Sequence, residues 1–371
     1  MRILINASNL KIGGGVQVAD SVIRELYKYE QHTFIVVYSS ALTSMAEDNV
    51  ASNLELIHYD MPSSITGMFY GKNHFLDDLV EKKKIDAVLT IFGPSRWIPK
   101  VRHISGFAIS HLLIPESPYW QLEETKHNLK QKVKMYFLRR QFAKDSNEYF
   151  TENTFISDRL LQLYPKKKVY TISNTYNQVF DEQERWKDTV HLNQDNVFKL
   201  LTIASYYPHK NLNIIPAIID ILQENHPSFH FQFVVSVDEK LFWSQNRHTK
   251  KRASVIKFLG KVPIEQCPML YKQTDAMFLP TLLECFSASY AEAMKMERPI
   301  LTSDLGFARS ICEKAAVYFN PIDANDIAEK IYQLASNKEM QDDLVTKGKE
   351  RLQTFDCAEK RVQKLMAILT N

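Results

Sequence analysis

FLPTLLECFSASYAEAMKMERPILTSDLGFARSICEKAAVYFN, residues 278–320, is the most informative stretch of this chain. An apolar run at 276–279 ends at Pro280, which predicts a buried strand followed by a loop. The next segment carries alanines at 288, 291 and 293, a composition typical of a helix. Glu284 therefore lies in the predicted loop, and Glu292 lies inside the predicted helix.

The two glutamates are eight residues apart, and this spacing favours separate roles for them. On one helix they would be rotated by roughly 80° from each other, a poor geometry for carboxylates that act as a pair. Between them, the backbone N–H groups of Phe286 and Ser287 would begin the helix, where the dipole favours a phosphate. Glu292 could then accept hydrogen bonds from ribose hydroxyls while Glu284 reaches a sugar. A solvated glutamate and a helix-capping glutamate would show the same spacing.

The length and composition indicate a soluble globular protein of more than one domain. The chain has 371 residues, more than the roughly 250–300 at which a single hydrophobic core stops growing. No apolar run approaches the roughly 18 residues of a membrane span, so a cytosolic protein is expected. The four cysteines show no metal-binding or disulfide spacing. A net charge of +3 is too small to indicate nucleic-acid binding.

Short apolar runs rich in β-branched residues alternate with segments of helical period. This alternation predicts an α/β protein with two parallel sheets and crossover helices. The predicted strands are 2–6, 34–38, 54–58, 87–92, 104–109, 148–151 and 169–172 in the first half, and 199–204, 230–236, 255–259, 276–279, 300–302 and 317–319 in the second. The polar stretch 177–196 predicts a linker between an N-terminal domain, 1–176, and a C-terminal domain, 197–355. Residues 356–371 predict a helix that can pack back on the N-terminal domain.

The loop after the first strand of each half is a candidate site, because ligands bind at the carboxyl ends of strands in open α/β sheets. In the first half, three glycines at 13–15 would let the backbone approach a ligand closely. They lack the G-x-G-x-x-G spacing of a dinucleotide site, and a plain turn would use them equally well. In the second half, Lys210 would project from the corresponding loop, although a lone lysine is usually solvated surface.

Residues 278–320 resemble the C-terminal signature of family 4 retaining glycosyltransferases, whose GT-B fold has two Rossmann-like domains facing a central cleft. The E-x7-E motif of that family corresponds to Glu284 and Glu292, followed by PILTSD at 299–304 and AVYF at 316–319. In the family, the first glutamate contacts the donor sugar and the second contacts the ribose. Cys285 and Ser287 stand at the usual glycine positions, where, with Phe286, their backbone amides can still bind phosphate in a less permissive loop.

The resemblance implies further donor-binding residues in both halves. Lys210 matches the lysine of a G-R-x4-K segment that neutralises the donor diphosphate, whereas Ser205 stands at the position of the arginine. Main-chain groups near Val262 match a loop that reads the nucleobase. Gly14 and Gly15 match a glycine-rich loop that lines the cleft.

Two more positions of the N-terminal half correspond to residues of the family. Asn174 matches a V-I-x-N segment that shapes the hinge and the cleft. His111 corresponds to a histidine that approaches the donor sugar, and His103 is a competing candidate for the same role.

The resemblance implies a retaining, metal-independent, hexosyltransferase-like enzyme that needs no cofactor besides its nucleoside diphosphate sugar. Its acceptor would be a saccharide or lipid-linked saccharide on the side of the N-terminal domain. The chain has no D-x-D motif, so Lys210 and the helix N-terminus after Glu284 would stabilise the departing diphosphate. Family habits point to bacterial capsule or O-antigen synthesis, in the cytoplasm or peripherally on the inner face of the cytoplasmic membrane.

Residues 126–144, KHNLKQKVKMYFLRRQFAK, contain seven lysines and arginines and no acidic residue. A helix over this range would place cations beside an apolar strip and could dock on an anionic membrane surface. A helix packed on the core with a solvated basic face would have the same composition.

Two other classes of protein remain open. A sugar-nucleotide epimerase of the GT-B type would need acid and base groups clustered around the sugar, and the sequence shows no such set. A non-catalytic scaffold that binds sugar nucleotides would be compatible with Ser205 in place of the arginine, but it would not require both Glu284 and Glu292.

Overall fold

The computed structural model describes residues 1–11, 13–43, 51–62, 71–122, 125–192, 196–246 and 254–371, with the backbone alone described at 125–129. The chain divides into two compact units. The first unit comprises Met1–Pro115, Glu123–Asn174 and Asp356–Asn371. The second comprises Glu116–Leu122 and Thr175–Phe355.

The first unit is built on a parallel seven-stranded sheet with the strand order β3-β2-β1-β4-β5-β6-β7. Its strands are β1 (Arg2–Ala7), β2 (Thr33–Tyr38), β3 (Leu54–His58), β4 (Ala87–Thr90), β5 (Arg102–Gly106), β6 (Glu148–Thr151) and β7 (Lys168–Thr171). Its helices are α1 (Gly14–Ile23), α2 (His74–Lys83), α3 (Ser110–Leu113), α5 (Thr125–Asp145), α6 (Thr154–Leu163) and α14 (Ala358–Thr370), and α4 (Tyr119–Leu122) belongs to the second unit.

Strand β1 shows why the sequence forms a sheet buried on both faces. Ile3 and Ile5 belong to one core cluster, and Leu4, between them, belongs to another cluster with Leu76 of α2. Successive side chains of a strand point to opposite faces, so an unbroken apolar run fits a strand covered on both sides.

Helix α14 completes one of these two core clusters. Val362, Leu365, Met366 and Leu369 recur at intervals of three and four residues and are buried in the cluster that contains Ile3. Full burial of such a side chain contributes about 1.5–3 kcal/mol, so α14 is part of the core of the first unit.

The second unit has a parallel six-stranded sheet with the order β10-β9-β8-β11-β12-β13. Its strands are β8 (Phe198–Thr202), β9 (Phe231–Val235), β10 (Ile256–Phe258), β11 (Ala276–Leu279), β12 (Ile300–Ser303) and β13 (Val317–Phe319). Its remaining helices are α7 (Ile215–Asn225), α8 (Glu239–Gln245), α9 (Cys267–Lys272), α10 (Ala288–Lys295), α11 (Gly306–Cys312), α12 (Ala324–Ala335) and α13 (Lys338–Leu352). The stretch 177–196 lies in this unit and carries two 3₁₀ turns, Gln178–Phe180 and Gln183–Arg185.

The prediction of an α/β protein with two parallel sheets is confirmed. A strand is present at each of the thirteen predicted places, with ends that differ by up to three residues. The largest difference is in β5, which ends at Gly106 whereas the apolar run continues to Ile109, the residue before α3.

Candidate functional site

Lys210 and Glu284 form an ion pair at the carboxyl edge of the second sheet. Lys210 ends the 3₁₀ turn Pro208–Lys210 after β8, and Glu284 follows β11, the neighbouring strand. Their side chains are only 14% and 12% exposed. Thr281 also donates a hydrogen bond to Oε1 of Glu284, at 3.1 Å. The two loops therefore hold one cation and one carboxylate together in a partly dehydrated position, where electrostatic interactions are stronger than in bulk water.

Backbone contacts fix the loop that carries Glu284. The N–H of Leu282 donates to the carbonyl of His209 at 2.7 Å, and Oγ1 of Thr281 lies 3.1 Å from the same carbonyl. Ser117, from the 116–122 segment, donates to the carbonyl of Leu282 at 2.7 Å. Burial lowers the pKa of His209 to about 4, with a smaller contribution from the neighbouring charge of Lys210. His209 is therefore neutral near pH 7, and Lys210 supplies the positive charge at this turn.

Helix α10 begins three residues after Cys285, and its first turn faces the same edge of the sheet. Ser287 is the N-cap residue, and no side chain among the described residues caps the helix. Cys285 and Ser287 are buried, whereas Phe286 is half-buried with its ring 5.9 Å from that of Phe355. The N–H groups at such a terminus, together with the helix dipole, suit an anionic group.

Glu292 lies on the second turn of α10 and is only 6% exposed. Oη of Tyr271, from α9, donates a hydrogen bond to Oε2 of Glu292 at 3.0 Å. Burial raises the pKa of Glu292 to about 7, and the hydrogen bond from Tyr271 opposes this rise only in part. A carboxylate with a raised pKa in a buried position costs stability, and such groups concentrate at functional sites.

A comparison of the sequence with family models gives a match within the second unit. Residues 183–351 match the model described as "Glycosyl transferases group 1". These residues, named the glycosyltransferase domain below, are similar to that family. The predicted resemblance is confirmed, and the glycosyltransferase domain contains the Lys210–Glu284 pair, α10 and Glu292.

Known proteins resemble the chain beyond this domain. The O-antigen chain mannosyltransferase RfbU of Salmonella typhimurium is 24% identical over 230 residues, which cover 61% of this chain and 60% of that protein. WaaG, described as a glycosyltransferase involved in lipopolysaccharide biosynthesis, matches with a TM-score of 0.70 and 13% identity over 100% of both chains. Anabaena Alr3699/HepE, solved in complex with UDP and glucose, matches with a TM-score of 0.66 and 14% identity over 100% of this chain and 99% of that one. These structural matches confirm the predicted GT-B fold.

Two other predicted residues of the glycosyltransferase domain lie in loops at the carboxyl edge of its sheet. Ser205 is exposed in the loop after β8 and brings no charge to the position of the family arginine. Val262 is half-buried in the loop after β10, two residues beyond Gly260, which has φ of 66°. A positive φ suits glycine, so this turn can present its main chain to a ligand.

The first unit contains the other predicted site residues. Gly14 begins α1, and a Cβ added there would have no atom within 4 Å, whereas a Cβ on Gly15 would meet Leu10 at 3.3 Å and Phe92 at 3.4 Å. His111 is half-buried in α3. Asn174 is buried and accepts a hydrogen bond from the guanidinium of Arg361, in α14.

His103 is built into the core of the first unit. Its Nε2 lies 2.9 Å from Oγ1 of Thr90, and its Nδ1 lies 2.9 Å from the carbonyl of Asp145. Burial lowers the pKa of this imidazole. Both ring nitrogens are engaged, which disfavours His103 for a contact with a donor sugar. The role of His111 stays a prediction.

Several residues of the site were not singled out from the sequence. Tyr271 holds Glu292, and Thr281 holds Glu284, while Ser117 comes from a segment far away in the chain. Thr281 lies three residues before Glu284 and could have been noticed. Tyr271 and Ser117 carry no sequence signal, because only the tertiary fold brings them to the glutamates.

Helix α5 carries a second surface of interest, in the first unit. Met135, Leu138 and Phe142 form its inward stripe. Val133 and Tyr136 are 50% and 56% exposed on another side, beside Phe137. Val133, Tyr136 and Phe137 are named the "α5 surface". Its two aromatic residues line a groove of about 390 Å³ together with Arg96, Ile98 and Arg140.

Membrane-spanning helices and clusters of metal ligands are both absent from the described part of the chain. Within it, no helix combines the length and apolarity that crossing a membrane requires. Within the same residues, no three or more His, Cys, Asp or Glu side chains are grouped as metal ligands.

Proposed function

We propose that the chain is a retaining glycosyltransferase that moves a sugar from a nucleoside diphosphate sugar to a saccharide or lipid-linked saccharide. The observation that carries the proposal is the Lys210–Glu284 ion pair beside the N-terminus of α10, with Glu292 buried on the same helix. A protein that binds a sugar nucleotide needs groups for its diphosphate and for its sugars. The site offers one cation and one helix terminus for the first, and two carboxylates in different environments for the second.

Each part of the donor has a partner in this arrangement. The diphosphate would contact Lys210 and the N–H groups after Cys285, since both favour negative charge. The ribose hydroxyls would donate to Glu292, whose Oε2 is held by Tyr271. Glu284 would accept from hydroxyls of the transferred sugar, and the main chain near Val262 would contact the base. The complex of HepE with UDP and glucose supports a uridine nucleotide as the first donor to test.

The reaction we propose needs no metal and no cofactor. The acceptor oxygen attacks the anomeric carbon on the face from which the diphosphate departs, and the bond from that carbon to the phosphate oxygen breaks. The departing phosphate oxygen takes the acceptor proton, so charge and atoms balance without a protein base. Lys210 and the α10 terminus stabilise the negative charge that develops on the diphosphate. Retention of configuration follows because attack and departure share one face.

The neighbouring charge of Glu284 gives Lys210 a second function in this proposal. In the ion pair, the ammonium holds the carboxylate in place before a donor binds. When the diphosphate arrives, Lys210 would be shared between phosphate and carboxylate, and Glu284 would stay aimed at the sugar. The roles of Gly14, Gly15, His111 and Asn174 in donor binding stay predictions, which variants at those positions can test.

We also propose that the acceptor is presented at an anionic membrane surface and that the product is a bacterial surface polysaccharide. The support is the exposed α5 surface within a segment, 126–144, that has no acidic residue. Cations near an anionic membrane contribute about 1 kcal/mol each, and exposed aromatic side chains add apolar contact. The similarity to an O-antigen chain mannosyltransferase and to WaaG supports the same assignment.

The variant Glu284→Ala tests the central assignment. We expect sugar transfer from the donor to fall by about 100-fold or more, because the carboxylate acts at the reacting sugar. Circular dichroism should be unchanged. Glu350→Ala, which removes an exposed glutamate of the same unit, is the matched control and should keep full activity. Full transfer by Glu284→Ala would refute the assignment, and donor binding without transfer in the unmodified protein would favour the scaffold alternative.

A further inference from the structure

A surface cavity of about 420 Å³ lies in the second unit, at the edge of the sheet opposite to Glu284. Its lining includes Trp186, Lys272, Lys295 and Arg298. Lys272 ends α9, before β11 begins, and Arg298 follows α10, before β12 begins. The cavity therefore lies at the amino ends of these strands, separate from the site proposed for the donor. Its volume is within the range of roughly 300–1,000 Å³ that is usual for small-molecule sites.

The charges that line this cavity are not balanced. Lys295 pairs with Asp181, and Glu297 pairs with Lys349 at 2.9 Å. Neither Lys272 nor Arg298 forms an ion pair with a carboxylate of the described residues. The wall of the cavity therefore carries two cations without directly paired acidic partners among those residues.

Both of these cations are held in place by other contacts. Nζ of Lys272 lies 4.6 Å from the centroid of the Trp186 ring, a cation–π contact. Arg298 donates from Nε to the carbonyl of Tyr271 at 2.7 Å and from Nη2 to the carbonyl of Lys272 at 3.1 Å. These carbonyls end α9, so Arg298 also stabilises that helix terminus. Its Nη1 remains as a further donor.

Desolvation makes this arrangement costly in the absence of an anion. Burial lowers the pKa of Arg298, which shows that the charged guanidinium is partly removed from water. Asp275 and Glu297 offset part of this cost through space without forming an ion pair with Arg298. An anion that binds beside the guanidinium would recover more of it. Helix capping accounts for Arg298 alone, and it explains neither the position of Lys272 over Trp186 nor the open volume between them.

We propose that this cavity binds a phosphate-type oxyanion, either inorganic phosphate or a phosphomonoester, between Lys272 and Arg298 and beside Trp186. A guanidinium offers planar, directed donors, and an ammonium offers a compact charge, so together they suit a tetrahedral anion. The volume beyond the two cations leaves room for the body of a small phosphorylated molecule.

The cavity is connected to the proposed donor site through one residue. The carbonyl of Tyr271 accepts from Arg298, and the hydroxyl of the same tyrosine donates to Glu292. A shift of Arg298 toward a bound anion would therefore act on the residue that holds the ribose-binding carboxylate. This connection gives the anion a route to change nucleotide affinity, and linkage requires the reverse effect as well.

A fluorescence titration of the full chain tests the anion site. Inorganic phosphate and glucose 6-phosphate are added in turn at constant ionic strength, with potassium chloride as the reference, and tryptophan emission is recorded. We expect a saturable change that Trp186→Phe removes. Lys272→Gln should weaken binding by about tenfold, as for the loss of a charge-assisted contact. Lys338→Gln, at an exposed lysine paired with Asp342 in α13, is the control and should bind as the unmodified protein does.

The outcomes separate this site from the donor site. Lys210→Ala should keep the saturable change, because Lys210 lies at the opposite edge of the sheet. The tighter of the two ligands identifies the source of the phosphate group. The proposal is overturned if neither ligand saturates, if Lys272→Gln binds both as well as the unmodified protein, or if Lys210→Ala abolishes the signal.

Discussion

Glu292 is a buried carboxylate whose ionisation lowers the stability of the fold. Its pKa of about 7 in the folded state lies above the ordinary value of 4.5. Between these two pH values, the folded state binds a proton that the unfolded state does not. The free energy of unfolding therefore falls as the pH rises through this range.

The variant Glu292→Gln should remove this pH dependence. Glutamine still accepts the hydrogen bond from Tyr271 but never ionises, so the variant should gain up to about 3 kcal/mol relative to the unmodified protein between pH 5 and pH 8. Urea unfolding at the two pH values measures the difference. If Glu292 binds the ribose as proposed, nucleotide affinity should fall at the same time, because the ribose loses a carboxylate acceptor. Glu224→Gln, at an exposed position, should change neither quantity. An unaltered pH profile in Glu292→Gln would contradict the raised pKa.

Single residues of the candidate site could be predicted from the sequence, but the contacts between them could not. Glu284, Glu292 and Lys210 could be predicted because each follows a recognisable strand and belongs to a motif of the family. The ion pair between Lys210 and Glu284 could not, since it depends on β8 and β11 being neighbours in the sheet. The same holds for Tyr271, whose contact with Glu292 joins two helices.

At the scale of elements, α1 contains two adjacent glycines with different surroundings. Gly15→Ala should cost about 1 kcal/mol of unfolding free energy, because the new methyl group would press on Leu10 and Phe92. Gly14→Ala has open space and should be neutral or slightly stabilising. Chemical denaturation of the two variants measures this contrast. If the loop backbone contacts the donor, Gly14→Ala should also reduce transfer at unchanged stability. Equal stability losses in both variants would contradict the packing argument.

A second prediction for a single element concerns the binding of the α5 surface to membranes. The double variant Tyr136→Ser/Phe137→Ser should bind vesicles of phosphatidylglycerol several-fold more weakly than the unmodified protein, because it loses the exposed aromatic contact. Sedimentation with vesicles measures the bound fraction, and vesicles of phosphatidylcholine should bind little of either protein. Tyr27→Ser replaces an exposed tyrosine of the same unit and is the control. Equal binding of the double variant and the unmodified protein would show that α5 is only a solvated helix.

Helices and strands differed in how readily the sequence predicted them. Every predicted strand is present. Most are buried and need continuous apolar runs, which are easy to recognise, whereas the edge strands β3 and β7 are only half-buried. Helix α5 was recognised from its charges, but the sequence did not show which of its apolar residues face inward. Met135 and Tyr136 are neighbours of similar polarity, and only their positions around the helix separate one from the other.

At the scale of the whole molecule, Arg361 ties α14 to the rest of the first unit. This guanidinium is buried and donates to Oδ1 of Asn174 and, at 2.8 Å, to Oγ of Ser21. Arg361→Met should therefore lower the unfolding free energy by about 2–4 kcal/mol, since two buried acceptors lose a charged donor. Lys360→Met, at the exposed neighbouring position, should have an effect within about 0.5 kcal/mol. Urea denaturation compares the two variants, and equal effects would argue against the buried network.

Two of the four points at which the chain passes from one unit to the other, after Asn174 and before Asp356, lie next to this network. The N–H of Ser173 donates to Oδ2 of Asp356 at 3.1 Å, and the N–H of Asp356 donates to Oγ of Ser173 at 2.7 Å. No local pattern could predict this exchange, because the two residues are 183 positions apart. Composition and periodicity describe local sequence only, so they cannot predict contacts between residues this far apart in the chain.

The return of α14 to the first core has a consequence for the order in which the chain folds on the ribosome. Val362, Leu365 and Met366 belong to the same cluster as Ile3, yet they are made after the whole of Thr175–Phe355. The core of the first unit is therefore completed only after the second unit has been synthesised, and the apolar surface that α14 covers stays exposed until then. A nascent chain stalled near residue 355 would present that surface to chaperones, and synthesis of α14 would allow it to be covered.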